Sequence, residues 1–275
     1  MRLSSTLAFA TKHGKERQFG PALSRSLGVD VTVAGVDTDQ LGTFTGEIQR
    51  PANQLETARR KARWAIDHTN ARYGLASEGS FGPHPQIPFV AAGLEVALFI
   101  DSQEGIEVVE RLWCTDTNFA DLTITDPLLP EAFLGRVGFP EHALIVSPSR
   151  DQGPFVKGIQ DRNELRVAIE TTIDAHDAAF LQTDMRAHLN PTRQRCLGQL
   201  AERLSARLLA RCPRCTARGW GVVDCHLGLP CEWCGSPTDL IAADVFGCAR
   251  SGCTHEETKP REGQASPASC PRCNP

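Results

Sequence analysis

Closely spaced cysteine pairs near the end of the sequence are the residues whose types and spacing most clearly indicate chemistry. Eight of the 11 cysteines form four pairs after residue 211, and three of these pairs have C-x-x-C spacing. A tetrahedral zinc ion takes four thiolates, and such pairs are their usual source in proteins. The pattern therefore predicts two structural zinc ions with no open coordination position for catalysis. The eight predicted ligands are Cys212, Cys215, Cys231, Cys234, Cys248, Cys253, Cys270 and Cys273.

The sequence allows two assignments of the four cysteine pairs to two zinc ions. Sequential assignment joins the first pair with the second and the third with the fourth, and the loops of about 15 residues between these pairs favour it. A cross-brace, in which the first pair joins the third, is the alternative. Cys225 lies between two pairs as a spare ligand, whereas Cys114 and Cys196 are predicted to be core residues or incidental thiols.

The segment Thr11–Lys15, with the sequence TKHGK, follows a predicted buried strand and precedes a predicted helix. Backbone N–H groups at a helix N-terminus attract anions, and the helix dipole adds to this attraction. Lys12 and Lys15 contribute positive charge, so we expect a phosphate-binding cradle here. The glycine spacing differs from that of a Walker loop. Two solvated lysines at the start of a helix are the alternative interpretation.

Carboxylates on two further predicted elements form a candidate site for a divalent cation. Glu56 lies on a predicted helix, and Glu78 follows a predicted buried strand, with Asp37 or Asp39 as a further candidate ligand. Mg²⁺ prefers oxygen ligands and often takes one or two carboxylates together with phosphate oxygens. Lys61 lies about 140° from Glu56 around the helix and is expected to flank the same ligand. The alternatives are a Glu56 that interacts only with the helix dipole and a solvated Glu78 in a tight turn.

Arginines near the start of a later predicted helix form a third candidate site. Arg186 and Arg193 are expected to bind phosphate oxygens, because a guanidinium group can donate two parallel hydrogen bonds. Phe81 or, alternatively, Phe139 is expected to stack on a nucleobase. The alternative is a helix cap, formed by Asn190 or Thr192, with arginines at the surface.

The elements that must position these residues indicate a mixed α/β fold. The predicted order is strand, helix, strand, helix, strand, then several strands and further helices, which favours a twisted mixed sheet with packed helices. We therefore divide the chain into an α/β domain over residues 1–210 and a double zinc-ribbon-like domain over residues 211–275. The predicted strands are Leu7–Ala10, Val29–Val36, Tyr73–Ser77, Ile106–Trp113 and Ala143–Val146, and the predicted helices end at Leu27 or cover Gln54–Asn70, Asn163–His176 and Thr192–Arg211.

Two segments in the middle of the chain have less regular sequence patterns. Ile87–Ala92 and Leu94–Ile100 are predicted to form a hairpin around Gly93, and Asp126–Leu134 a short helix. Glu95 interrupts the longest apolar run. No run approaches the roughly 20 residues of a membrane-spanning helix.

The sequence carries no secretory signal pattern at its start, and the cysteine pattern argues against a disulfide framework. We therefore expect no membrane partner and a reducing cytoplasm as the compartment.

Several of these segments resemble known families. The resemblance to the inosine triphosphate pyrophosphatase superfamily implies that superfamily's α/β fold and hydrolysis of nucleoside triphosphates. Its acidic Asp-Asp-Ser-Gly motif is ASEG at residues 76–79, so one acid is missing, and Thr192 stands where the superfamily has a histidine. A second resemblance, to an uncharacterised bacterial family of unknown function, rests on Thr38–Phe44, Ala76–Pro83 and Thr183–His188 and implies no activity. The first resemblance is carried by Ala10–Glu16, Glu56–Ala62, Leu75–Gly79, Gly138–Val146 and Asn190–Arg193.

Together these patterns predict a Mg²⁺-dependent hydrolase of nucleoside triphosphates or a related phosphorylated small molecule, with structural zinc. The alternative is a non-enzymatic binding protein whose zinc ribbon recruits a protein or a nucleic acid. The net charge of −4, and a balance of seven basic and seven acidic residues from residue 211 onward, do not favour nucleic acid. The oligomeric state stays open. The predicted catalytic residues are Glu56, Lys61 and Glu78, and the predicted substrate-binding residues are Lys12, Lys15, Phe81, Arg186 and Arg193.

Overall fold

Helices and strands in three sheets make up the computed structural model, which describes residues 6–41 and 52–274. The predicted mixed α/β class is confirmed. The described residues form two compact units, one comprising the chain up to Ile100 together with Val109–Leu204, and the other Asp101–Val108 together with the chain from Ser205 onward. The sequence division after residue 210 does not anticipate that Asp101–Val108 falls in the second unit.

A five-stranded sheet has the order β2-β1-β3-β4-β5, and β1 runs parallel to both of its neighbours. Its first strand is apolar and buried from Leu7 onward. Because parallel strands end at the same edge of a sheet, the residues that follow β1 and the carboxyl-terminal part of β3 lie side by side. The strands are β1 (Thr6–Ala10), β2 (Asp30–Val33), β3 (Tyr73–Pro83), β4 (Ala91–Asp101) and β5 (Ile106–Cys114).

Two helices accompany this sheet, α1 (Glu16–Leu27) and α2 (Gln54–Thr69). The Asn53 side chain caps α2 by accepting a hydrogen bond from the Glu56 N–H at 2.9 Å. Small side chains let α2 pack closely on the strands, and a Cβ at Gly74 would lie 2.5 Å from the Ala62 carbonyl oxygen. This close packing fixes the direction of side chains on α2. The packed small residues are Ala8, Ala10, Ala58, Ala62, Ala65 and Ala76.

A four-stranded antiparallel sheet follows, with the order β6-β9-β7-β8. Its apolar core includes Leu144 and Val146 from the sheet and Leu165 and Ile169 from a helix. Asp161 caps that helix by accepting hydrogen bonds from two backbone N–H groups. The elements are β6 (Asp121–Ile124), α3 (Glu131–Val137), β7 (Leu144–Ser147), β8 (Val156–Ile159), α4 (Arg162–His176), β9 (Ala179–Thr183) and α5 (Pro191–Leu209).

The second unit contains a three-stranded antiparallel sheet with the order β10-β11-β12. Its strands are β10 (Gly221–Leu227), β11 (Ile241–Gly247) and β12 (Glu256–Pro260). Gly221 pairs with Gly247, so the start of β10 lies beside the end of β11. This antiparallel register decides which cysteine pairs meet.

Two local predictions are wrong. No hairpin forms around Gly93, because β4 continues through it from Ala91 to Asp101. The predicted helix over Asp126–Leu134 begins later, since Pro130 is the residue at its N-terminal boundary and α3 covers Glu131–Val137. In the described part of the chain, no helix has both the length and the apolar character needed to cross a bilayer.

Candidate functional site

The eight paired cysteines form two groups whose potential ligand atoms lie within 4.8 Å of one another. The first group is Cys212, Cys215, Cys248 and Cys253, and the second is Cys231, Cys234, Cys270 and Cys273. Each group offers four thiolates and no histidine or carboxylate, which is the ligand set of a structural zinc ion. The prediction of two four-cysteine clusters that can hold zinc is therefore confirmed.

The favoured sequential assignment is wrong, because the structure has the cross-brace. The first pair precedes β10 and the third follows β11, and these strand ends are neighbours in the antiparallel register. The second pair follows β10 at the opposite end of the sheet, where β12 also ends, with Pro260 paired to Ala243. The fourth pair comes after β12 and so joins the second. Cys225 belongs to neither group.

A cluster of five buried charged side chains lies in the first unit. The Lys61 ammonium is 2.6 Å from the Glu78 carboxylate, and the Arg193 guanidinium is 2.6 Å from the Glu95 carboxylate. The fifth member, Lys15, is influenced electrostatically by the other four. Three cations and two carboxylates leave the cluster with a formal charge of +1.

Lys15 is the member of this cluster without an ion-pair partner among the described residues. Its ammonium donates a hydrogen bond to the Ser77 carbonyl oxygen at 2.6 Å, and the residue is only 8 % exposed. Burial lowers the pKa of Lys15 to about 8, and the nearby Arg193 adds to this effect. The excess positive charge of the cluster is therefore at Lys15.

Two buried hydroxyl groups belong to residues at the sheet edge where Lys15 binds the Ser77 carbonyl oxygen. Ala10 and Ala76 are paired across the parallel strands, so the following residues, Thr11 and Ser77, are neighbours. Within the part of the chain that the structure describes, neither Thr11 Oγ1 nor Ser77 Oγ has a hydrogen-bond partner. Buried hydroxyls are usually hydrogen-bonded, so these two are positions at which a water molecule or another bound group is expected.

Arg193 contacts three residues through its guanidinium group. It donates two hydrogen bonds to Glu95 and one to the Met185 carbonyl oxygen, and it lies over the Phe81 ring at 5.1 Å. Gly79 makes room for this arrangement, since a Cβ there would lie 2.8 Å from the Glu95 carboxylate oxygens. Arg193 therefore supports the cluster as an internal counter-ion for Glu95.

The loop Thr11–Lys15 also contacts the segment that leads into α5. The rings of His13 and His188 stack with their centroids 5.3 Å apart. Burial and the neighbouring Arg186 lower the pKa of His188. Arg186 itself forms a bidentate pair with the fully buried Asp184, so its guanidinium is occupied within the protein.

The structure brings Lys15, Lys61, Glu78 and Arg193, which the sequence analysis named on four separate segments, into one cluster. It does not place Glu56 with them: the Glu56 carboxylate binds Arg59 at 2.6 Å and Arg60 at 3.3 Å on its own helix. These two arginines lower the pKa of Glu56.

The other predicted ligands of the site are engaged with protein groups or lie outside the described residues. Lys12 is paired with Asp37 at 2.7 Å, with both side chains about half exposed. The Phe81 ring stacks with that of Phe119 at 6.1 Å. The side chain of Asp39, and residues 42–44 of the predicted Thr38–Phe44 signature, lie outside the described residues.

Sequence reasoning missed three contributors to this site. Glu95 was visible as a single carboxylate inside an apolar run, which is the signal that a charged partner must be buried with it. Gln54 donates hydrogen bonds to the Glu78 and Leu94 carbonyl oxygens and so ties α2 to β3 and β4. The hydroxyl of Ser77 carried no pattern of its own.

The buried carboxylates do not fit a resident Mg²⁺ ion. Glu78 and Glu95 each have a cation at 2.6 Å, and the cluster as a whole is positively charged. A divalent cation would have to displace Lys61 or Arg193 from its partner. The predicted Mg²⁺ site of Glu56 and Glu78 is therefore not supported by the arrangement of these side chains.

Cys114 and Cys196 are paired as a disulfide, with their Cα atoms 6.4 Å apart. Of the two predicted alternatives, incidental thiols are wrong for this pair, whereas Cys196 is buried as predicted for a core residue. The same chain segments are joined by a hydrogen bond from Asn190 Nδ2 to Asn118 Oδ1 at 2.9 Å.

A family model described as a domain of unknown function, DUF6671, matches residues 61–275. The chain therefore belongs to this family. The matched range includes Lys61, Glu78, Glu95, Arg193 and all eight clustered cysteines, and Lys15 precedes it. Comparison with curated proteins gives no match, and neither does comparison with solved structures. The likeness to the inosine triphosphate pyrophosphatase superfamily stays a prediction from the sequence.

Proposed function

We propose that this member of the DUF6671 family binds the phosphate group of a small molecule at Thr11, Lys15 and Ser77. One observation supports this most directly: a buried ammonium group without a carboxylate partner in the described chain is hydrogen-bonded to the Ser77 carbonyl oxygen, and the buried hydroxyls of Ser77 and the neighbouring Thr11 have no hydrogen-bond partner in that part of the chain. Buried charges and hydroxyls are costly unless they are paired. Phosphate oxygens accept hydrogen bonds from all three groups, so one anion would satisfy them together.

The start of α1 adds to the attraction for an anion. This helix of 12 residues begins at Glu16, directly after Lys15. Its first N–H groups and the positive end of its dipole lie at the loop that carries Thr11 and Lys15. The helix and the lysine therefore favour negative charge at the same place.

A nucleoside triphosphate is the ligand that the resemblance to the inosine triphosphate pyrophosphatase superfamily implies, and hydrolysis of its phosphoanhydride is the reaction. Lys15 would neutralise the phosphate charge at this site, while Lys61 and Arg193 keep the buried carboxylates from repelling it. Because both carboxylates already have cations, Mg²⁺ would come to the protein bound to the phosphates of the ligand.

Calorimetric titration of the purified full chain with nucleoside triphosphates and inorganic triphosphate, with and without Mg²⁺, tests this proposal. We expect Lys15→Met to weaken triphosphate binding at least about tenfold, the effect of losing one buried charge-assisted interaction. Lys12→Met is the matched control and should change the affinity less than about twofold, since Lys12 is exposed and paired with Asp37. Failure of all these anions to bind would contradict the proposal.

Binding without turnover is the second candidate function. The pairing of Glu78 with Lys61 and of Glu95 with Arg193 favours it, because neither buried carboxylate is available as a general base. The zinc-bearing unit would then recruit a protein or a nucleic acid. Release of phosphate or pyrophosphate from a bound nucleotide would exclude this candidate, and filter binding of DNA and RNA over a salt series would reveal contacts to a nucleic-acid backbone.

A further inference from the structure

We propose that Cys114 and Cys196 form a reversible disulfide that controls the anion-binding site by fixing the first turns of α5. This inference rests on the function proposed above. Cys114 is the last residue of β5, and Cys196 lies on α5, 82 residues later in the sequence. Arg193 precedes Cys196 by three residues, which is less than one helical turn. A covalent bond at Cys196 therefore restrains the turn that carries Arg193.

Two weaker contacts join the same chain segments. Asn190 donates its side-chain hydrogen bond to Asn118, and Arg195 lies 3.6 Å from the Asp116 carboxylate. The latter ion pair is exposed, and such pairs contribute little to stability. Reduction of the disulfide removes the strongest of these three links.

Arg193 connects this junction to the proposed anion site. Its guanidinium binds Glu95, and both charges act on Lys15. Asn190 accepts a hydrogen bond from the Arg193 N–H at 2.9 Å, so the start of α5 and the cluster are one hydrogen-bonded arrangement. A looser first turn of α5 allows Arg193 to move relative to Glu95, which changes the electrostatic environment of Lys15 and lowers the affinity for an anion.

The exchange reaction uses a low-molecular-weight disulfide, such as oxidised glutathione, as the oxidant. The Cys114 thiolate attacks its S–S bond, forms a mixed disulfide and releases one glutathione thiolate. The Cys196 thiolate then attacks Sγ of Cys114, closes the protein disulfide and releases the second glutathione. Two electrons and two protons pass from the protein thiols to the oxidant. Cys114 reacts first because it is half-buried, whereas Cys196 is only 7 % exposed.

A binding measurement tests the proposal. The zinc-loaded full chain is treated with oxidised glutathione or with a phosphine reductant, and its affinity for inorganic triphosphate is then determined. We expect reduction to weaken binding at least about threefold, because the site loses preorganisation. A C114S/C196S variant should bind as weakly as the reduced protein in both buffers. This variant keeps the eight clustered cysteines, so it also reports any effect of oxidation on them.

The outcomes separate this inference from the proposed function. Equal triphosphate affinity of the oxidised and reduced protein overturns the redox control and leaves the anion site intact. Absence of triphosphate binding in both states overturns the anion site and, with it, the control.

Two measurements without a ligand complete the test. Hydrogen exchange of the backbone amides of residues 192–196 should be faster in the reduced protein, and equal rates would overturn the proposal. The second measurement is the rate of mixed-disulfide formation with oxidised glutathione in the two single variants. Cys114 in the Cys196→Ser variant should react at least about tenfold faster than Cys196 in the Cys114→Ser variant, because Cys114 is more exposed. The reverse order would contradict the proposed exchange reaction.

Discussion

The two cysteine clusters and the buried charge cluster keep their polar groups together by different means. Each cysteine cluster gathers four acidic groups with no protein cation in the set, so its four thiolates require a metal ion. The charge cluster contains its own counter-ions, with two carboxylates paired to Lys61 and Arg193. The first arrangement is stable only with an external cation, and the second is nearly neutral apart from Lys15. The same comparison indicates which ligand each region takes: a cation in one and an anion in the other.

Removal of zinc should cause the largest loss of stability and should separate the two regions most clearly. Zinc binding contributes about 10–16 kcal/mol in structural zinc peptides, so chelation should unfold the β10–β12 sheet while the first unit stays folded. Hydrogen exchange and zinc analysis of the full chain would measure this. Fewer than two zinc ions per chain would contradict two four-thiolate sites.

Double variants sharpen the same prediction by testing the cross-brace. C215S/C248S removes two ligands of one cluster and should lose one zinc ion, whereas C215S/C231S damages both clusters and should lose two. Sequential assignment predicts the opposite result for each variant. Cys225→Ser is the control and should keep both ions.

Loss of an internal counter-ion should have the next largest effect. Glu95→Gln leaves Arg193 buried without its carboxylate, and breaking a buried ion pair costs about 3–5 kcal/mol of the free energy of unfolding. Glu202→Gln, which breaks the exposed pair with Arg25, should cost less than about 1 kcal/mol. Denaturant titration of both variants measures the difference, and similar costs would show that the cluster is not stabilised by internal pairing.

Lys15 should lower the free energy of unfolding of the protein, because its charged form is buried. Its pKa falls from 10.5 to about 8, which corresponds to roughly 3 kcal/mol of unfavourable burial for the protonated form. We therefore expect Lys15→Met to raise the free energy of unfolding near pH 7 by roughly this amount. Between pH 8 and 10.5 the unfolded wild type binds more protons than the folded state, so wild-type stability rises and the advantage of the variant disappears. Unfolding measured at pH 7 and pH 10 checks both statements, and an advantage of undiminished size at pH 10 would exclude a charge effect.

The contrast between the regions also explains what the sequence could predict. Each cysteine pair is local, so the ligands of both metal sites could be read from spacing alone. The partners of each pair depend on the register of β10 with β11, and a loop length of about 15 residues does not determine that register. The antiparallel hairpin itself would have indicated the cross-brace, had the strands flanking the second pair been recognised.

The charge cluster depends on contacts between distant segments. Lys61 and Glu78 were proposed for one site, but their ion pair requires α2 to lie on β3, and this packing depends on Gly74 and a seam of alanines. Glu95 and Arg193 are 98 residues apart, so no local pattern connects them. The sequence therefore predicted most of the charged groups of the site but not their pairing.

Substitution of Glu56 should have the smallest effect on ligand binding. It tests most directly whether this residue belongs to the anion-binding site. Its carboxylate is engaged by Arg59 and Arg60 on a partly exposed turn of α2, so Glu56→Gln should change triphosphate affinity less than about twofold. Glu78→Gln should instead alter both affinity and stability, because it leaves Lys61 buried without its partner and adds a second unpaired cation beside Lys15. Calorimetry on the two variants compares a partly exposed with a buried carboxylate on neighbouring elements. Equal loss of triphosphate binding in both variants would place Glu56 in the ligand site. It would also support the predicted metal site formed by Glu56 and Glu78.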